Sequence, residues 1–212
     1  MGSSWCPRCG SDLVAPNELD SSWRCSSHGR VLPLSVYQRL DSSTLDHVRK
    51  QAEVPVWLPE PVPPSWTLIG LAAVGDSRSR LRATVTALSG PAPLGGLGEW
   101  LLVAEEPGIG LGAAYAGTST DSAPISPARP SAARLHALGR PTPLWPVLDA
   151  ASDRSAYVGE AEGVWLWLIG FPSDAGYAVL ENLHLSDIRH RPSPPIGVGT
   201  PSTRLKPGAE SQ

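Results

Sequence analysis

Four residues near the start of the chain constrain it more than any other feature: Cys6-x2-Cys9-x15-Cys25-x2-His28. Zn2+ is held by four sulfur or imidazole ligands in a tetrahedron, and a C-x2-C turn aims two sulfurs at one point. Each pair is followed at once by glycine, Gly10 and Gly29. Tight knuckles tend to place a residue at positive φ there, which glycine adopts without strain. The spacing predicts a Cys3His zinc ribbon over residues 4–33, two short hairpins clamped by one structural Zn2+. Four protein ligands close the coordination sphere, whereas a catalytic zinc keeps a position open for water. A redox reading of Cys6 and Cys9 lacks the helix and βαβ setting of a thioredoxin-like site. So short a segment cannot build a core, and metal binding would supply its folding energy, on the order of 10 kcal/mol. Trp5 and Trp23 flank the ligands. They fit an apolar floor for the ribbon, with exposed anchors for a partner as the alternative.

The remainder of the 212 residues is turn-rich: 21 glycines and 23 prolines predict short elements rather than long helices. Three cysteines, an odd number, argue against a secreted disulfide scaffold. The first residues show neither a basic n-region nor an apolar h-region, and the longest apolar run, VWLWLIGF, is eight residues. A membrane-spanning helix needs ~20. The expectation is a cytoplasmic protein without a membrane span. Net charge is −3. No part of the chain is a basic stripe, which opposes nucleic-acid binding, since phosphate neutralisation supplies most of that affinity.

Past the ribbon, residues 41–53 carry Leu45, Val48 and Ala52 at helical spacing, with Ser43 as expected N-cap and Asp46 three residues on. The following VPVWLPEPVPPSW reads as a stiff extended strap, unable to join the middle of a sheet. With the helix it makes up residues 34–65. From Trp66 short strands alternate with turns. WTLIGLAAVGD and LRATVTALSG suggest one hairpin, and EWLLVAEEPG and GLGAAYAG a second across Pro107-Gly108. A third cluster runs through ARLHALGRPTPLW, SAYVGEA and GVWLWLIGF. In the last, Val164, Leu166 and Leu168 alternate with Trp165, Trp167 and Ile169, so the strand should be central and covered on both sides. Residues 174–190 fit a helix through Tyr177, Leu180 and Leu183, or a strand through Leu183 and Leu185. The expected fold class is α+β: the small N-terminal ribbon, then an antiparallel-sheet-rich domain over 66–190 with few short helices. Residues 117–131 should form a loop, and 191–212, with little to bury, a disordered tail.

GIGLGA matches the spacing G-x-G-x-x-A of a dinucleotide loop. A true one follows a strand directly and opens a long helix. Here Glu105, Glu106 and Pro107 intervene, and two carboxylates would repel phosphate. PLGGLGEW lacks the Lys-Ser/Thr of a P-loop. Both read as turn glycines. No catalytic motif places two of the acids Glu99, Glu105, Glu106, Glu160 and Glu162 around one substrate.

CPRCG with its Cys/His pair, VPVWLPEPVPPSW, SGPAPLGGLGEWLLVAEEPGIGLGAAYAG, GRPTPLW and GVWLWLIGFP together resemble an uncharacterised family of actinobacterial proteins. The resemblance covers most of residues 5–190 and implies no activity. Some similar proteins have carried the label phosphotransacetylase. Such enzymes resemble larger α/β proteins and share none of these five stretches, so the label is not adopted. The strand pattern also resembles small antiparallel domains of bacterial lipoproteins and anti-sigma-type proteins, without their export signals.

The leading functional expectation is a non-enzymatic zinc-containing binding or scaffold protein with a protein partner. A small-molecule sensor or enzyme, with a pocket near PLGGLGEW and the acids of GEAEGVW, is the second. Nucleic-acid binding through Arg8, Arg24 and Arg30 is the third.

Overall fold

Alternating apolar residues punctuated by glycine and proline turns build most of this protein from hairpins. The computed structural model describes residues 4–18, 20–92, 94–118, 130–179, 183–191 and 195–208, with backbone alone at 177–179. The N-terminal elements are β1 (Arg24–Cys25), β2 (Gly29–Arg30), β3 (Leu34–Val36), α1 (Ser42–Gln51) and β4 (Trp57–Pro59). The long strands follow as β5 (Thr67–Asp76), β6 (Arg80–Pro91) and β7 (Leu97–Glu105), then a short helix α2 (Leu111–Ala116). Two further hairpins comprise β8 (Ala133–Ala137) with β9 (Arg140–Pro146), and β10 (Ser155–Ala161) with β11 (Val164–Phe171). A 3-10 turn (Ser173–Val179), β12 (His184–Asp187) and β13 (Gly197–Val198) complete the chain. The fold is α+β, strand-rich with few helices.

Among the described residues one sheet runs in the order β13-β5-β6-β7-β11-β10-β9-β8-β12-β4, with β3 also on β5. Neighbours are antiparallel except β12 on β8 and β13 on β5. The centre is β6, β7 and β11. As its alternation predicts, β11 sends Val164, Leu166 and Leu168 into one core, and Trp167 and Ile169 into a second, with Trp165 at the margin of the latter. On β7, Trp100, Leu102 and Ala104 face the first core while Leu101 and Val103 face the second.

The first face is covered by the chain rolling its own edge over it. Val54, Val56, Trp57 and Leu58 of the proline-rich segment are buried there. Prolines lack the N–H a ladder needs, so β4 ends the sheet order rather than entering its middle. The strap's carbonyls are satisfied from below instead. The Thr84 hydroxyl donates to Pro55 O at 2.5 Å and Thr86 to Trp57 O at 2.7 Å. That is why β6 carries two buried threonines on a core face. Buried Asp187 accepts from Val56 N at 3.1 Å and pairs with Arg189. Trp66 and Trp100 pack with ring centroids 3.9 Å apart and planes tilted by 41°.

The second face is covered by α2, by Leu34 of β3 and by the C-terminal segment. Residues 195–208 are not the loose tail that their composition predicts. Strand β13 pairs with Thr67 and Leu68. Ser202 N then donates to Ile69 O at 2.8 Å, and the Tyr115 hydroxyl to Leu205 O at 2.5 Å. Leu205 fills the hollow left by a glycine: a Cβ on Gly70 would lie 2.4 Å from Leu205 Cδ1. One well-placed leucine and the open edge of β5 hold a segment that averages as unfoldable.

Three smaller expectations also change. The N-cap of α1 is Asp41, which accepts from Thr44 N at 2.8 Å and from the Ser43 hydroxyl at 2.7 Å. A carboxylate two residues upstream of Ser43 satisfies the first-turn N–H. GLGAAYAG is not a strand but contains α2, and β7 pairs with β6 and β11. Residues 174–190 split between the two readings: the 3-10 turn takes the first part, and β12 begins at His184. Most of the 117–131 loop lies outside the described residues.

Truncating Leu205→Ala should cost about 2–4 kcal/mol in urea unfolding, the range for a buried leucine. A loss below about 0.5 kcal/mol, typical of a surface change, would show that the C-terminal segment does not carry part of the core.

Candidate functional site

Two knuckles bring the predicted ligands together. In the first, Gly10 N donates to Cys6 O at 2.8 Å and Cys6 N to Ser11 O at 2.8 Å. In the second, Cys25 and Gly29 pair across β1 and β2. Gly10 and Gly29 take φ of 69° and 66°, the left-handed turns that their position after each ligand pair predicts. Cys6, Cys9, Cys25 and His28 converge with all four ligand atoms within 4.8 Å of one another. Cys9 and Cys25 sulfurs are 3.7 Å apart, and His28 Nδ1 lies 3.6 Å from both Cys6 and Cys25 sulfurs. Tetrahedral zinc, from its usual bond lengths, has edges of about 3.8 Å between sulfurs and about 3.6 Å between sulfur and nitrogen. The donor set and spacing fit that ion, and the group could hold a metal. Without a cation, thiols packed this closely resist ionising together. Burial pushes the Cys6 thiol up to about 12. At Cys9 burial also acts upward but is outweighed by the Ser11 hydroxyl and backbone and by the neighbouring thiols, which bring it to about 6.

The knuckles lean on the body. Trp5 bridges to Leu34 and packs against the second core rather than flooring a separate ribbon. Arg8 reaches across to Gly108 O at 2.6 Å and Ile109 O at 3.2 Å. Gly10 abuts the C-terminal segment so closely that a Cβ would meet Pro207 O at 1.9 Å. The first knuckle and the Lys206–Pro207 stretch therefore meet beside the cysteines.

Next to this junction the second face opens into a groove of about 880 Å3. Its floor is a cross-strand row, Thr67, Ser89, Glu99 and Phe171, contributed in register by β5, β6, β7 and β11. One wall is Thr200–Arg204 and another includes Ser152 and Asp153. Burial raises the Glu99 carboxyl above its usual range, against the Ser202 hydroxyl that donates to it and the Arg204 charge. A second cavity of about 490 Å3 continues past Asp153, Phe171 and Arg204 to Arg154, Lys206 and Gly208.

The match that decides kinship is to a family of unknown function, DUF6758, over residues 1–205. The chain belongs to that family. No curated protein and no solved structure matches it. The DUF6758 match spans both the cysteine cluster and the C-terminal segment as far as Leu205.

Of the acids singled out in the sequence, Glu99, within PLGGLGEW, lines the groove together with Leu97 and Gly98. Glu160 and Glu162 do not: Glu160 accepts from Gly163 N at 3.0 Å to close a hairpin, and Glu162 lies 3.8 Å from Arg140. Arg154, Arg204 and Lys206 escaped the sequence reading because nothing in their local context marks them. The β10–β11 register places Arg154 beside Phe171, and the C-terminal fold-back brings Arg204 to the same ring and Lys206 to the same cavity.

The GIGLGA stretch is a closed structural turn. Gly108 and Gly110 have φ of 92° and 83°, and α2 is six residues long. Its first N–H groups already hold an anion from the chain: Leu111 N donates to Glu105 at 2.7 Å and Gly112 N at 3.2 Å. Burial pushes the Glu105 carboxyl up from 4.5 to about 7 against those bonds. The native state therefore binds more protons than the unfolded chain between these values. Glu105's contribution is most favourable below 4.5 and declines as pH rises through 7. The stability of the native protein minus that of Glu105→Gln should fall by roughly 2–3 kcal/mol between about pH 4 and pH 8. A pH-independent difference in urea titrations would contradict this placement.

Proposed function

We propose that this protein is a non-enzymatic binding protein whose N-terminal segment, residues 4–33, is a zinc ribbon clamped by a structural Zn2+ on Cys6, Cys9, Cys25 and His28. The observation that supports this is the convergence of four ligand atoms within 4.8 Å of one another, with the Cys9–Cys25, Cys6–His28 and Cys25–His28 separations matching tetrahedral edges. Three thiolates and an imidazole suit zinc and not the oxygen-seeking Ca2+ or Mg2+. All four positions are protein atoms, the pattern of an architectural site. Thiolate ligands need a reducing compartment, which favours the cytoplasm. No described helix is long and apolar enough to cross a membrane.

On this reading the ion's work is to hold the N-terminal knuckles, and the C-terminal segment that Gly10 contacts, against the second face of the sheet, and the binding surfaces lie on the body. The arginines that would favour nucleic acid are otherwise engaged. Arg8 holds the Gly108 and Ile109 carbonyls, and Arg24 pairs with Asp20, with Arg30 3.8 Å from the same carboxylate. A second reading, a small-molecule sensor, draws on the groove beside Glu99.

Protein purified from its native cells should carry one zinc per chain by elemental analysis and emerge with a stoichiometric protein partner or a bound metabolite by native mass spectrometry. Cys25→Ala should lose the zinc and expose residues 4–33 to protease. Metal-free protein with an equally protected N-terminal segment would overturn the reading.

A further inference from the structure

The groove and its continuation are one site of mixed character. At the far end, three cations gather: Arg154, Arg204 and Lys206. Two of them share one aromatic ring. The guanidinium carbons of Arg154 and Arg204 lie 4.8 Å and 4.3 Å from the Phe171 centroid. Crowding like charges on one ring is unfavourable unless anions stand nearby. Asp153 is one, bonded to Arg154 at 2.7 Å and 3.0 Å, and Glu99 is another, 3.5 Å from Arg204. Lys206 has no carboxylate within ion-pair distance among the described residues, and its Nζ sits 5.2 Å from the Trp5 centroid. Among the described residues the lining of the two cavities thus counts three cations against two carboxylates, in a chain whose net charge is −3. That local positive character favours an anionic ligand.

At the near end the lining changes character. Ser65, Thr67, Ser89, Ser173 and Thr203 surround the space with hydroxyls. Thr67 and Ser89 already donate to Ser89 O and Gly98 O and so offer lone pairs to a ligand's hydroxyls, while Ser65, Ser173 and Thr203 can donate or accept. The volume is that of a small-molecule site. We infer that the joined cavities bind a small anionic polyol, a sugar-sized polyhydroxylated molecule carrying a phosphate or carboxylate, its charge against Arg154, Arg204 and Lys206 and its hydroxyls along the Thr67–Ser89–Glu99 row. This deepens the second reading of the body as a small-molecule binder and does not depend on which metal the cysteines hold.

The test is calorimetry on the full chain with four compounds: glucose 6-phosphate, gluconate, glucose and inorganic phosphate. At least one of the two anionic polyols should bind about tenfold more tightly than both glucose and inorganic phosphate, as expected when charge-assisted and neutral hydrogen bonds act together. Its affinity should fall as salt is raised. Lys206→Gln and Arg204→Gln should each weaken it about tenfold or more, with far-UV circular dichroism and metal content unchanged for Lys206→Gln. Equal binding of glucose would remove the charge argument, and equal binding of inorganic phosphate the hydroxyl argument. No binding of either anionic polyol at about 10 mM, beyond the usual ligand range, would overturn the site altogether. Elemental analysis of the same samples separates failure here from failure of the zinc reading.

Discussion

Everything in this structure follows from the central strands being apolar on both faces. Strands β6, β7 and β11 cannot leave either side to water, because each side carries leucine, valine, isoleucine or tryptophan. With two short α-helices among the described residues, the chain does not cover both faces with helical layers. It covers one by folding its own far edge, β8, β9, β12 and β4, back over the sheet. It covers the other with loose pieces: α2, β3, the cysteine knuckles and the C-terminal segment. The first cover is continuous sheet and holds itself by ladder hydrogen bonds. The second is assembled from segments too short to stand alone, and a cross-link among them gains most.

That requirement gives the cysteine cluster its place. Cys6 and Cys25 are buried where the knuckles press on the body, Arg8 grips the Gly108 turn, and Gly10 leaves room for Pro207. A closed tetrahedral ion at this point would fix the knuckles and, through the contact of Gly10 with Pro207, the C-terminal segment beside them. That segment is also a wall of the groove through Thr200–Arg204. The cysteine cluster and the groove are thereby parts of one assembly, although Cys9 and Glu99 are far apart in sequence.

The parts legible in the sequence are those governed by local chemistry. The ligand spacing, the positive-φ glycines after each pair, the two-faced strand at Val164–Phe171 and the β5–β6 hairpin all express rules acting over a few residues. What was illegible depends on distant partners. Leu205 means nothing until Gly70 makes a hollow for it. The small residues of α2 are consistent with strand or turn until Glu105 caps the helix from the preceding strand. The Thr67, Ser89, Glu99 and Phe171 floor exists only in the register of four strands. Asp41 rather than Ser43 is the cap because the helix already begins at Ser42, and several adjacent capping residues leave that starting point open in the spacing.

Hydrogen exchange on zinc-loaded and chelator-stripped protein reaches the central claim most directly. If the ion holds both the knuckles and the C-terminal segment on the second face, stripping should release the amides of residues 4–36 together with those of Gly199 and Ser202, while the β7–β11 ladder stays slow. Release confined to the knuckles, with Gly199 and Ser202 as protected as before, would show that the C-terminal segment holds its place without the metal.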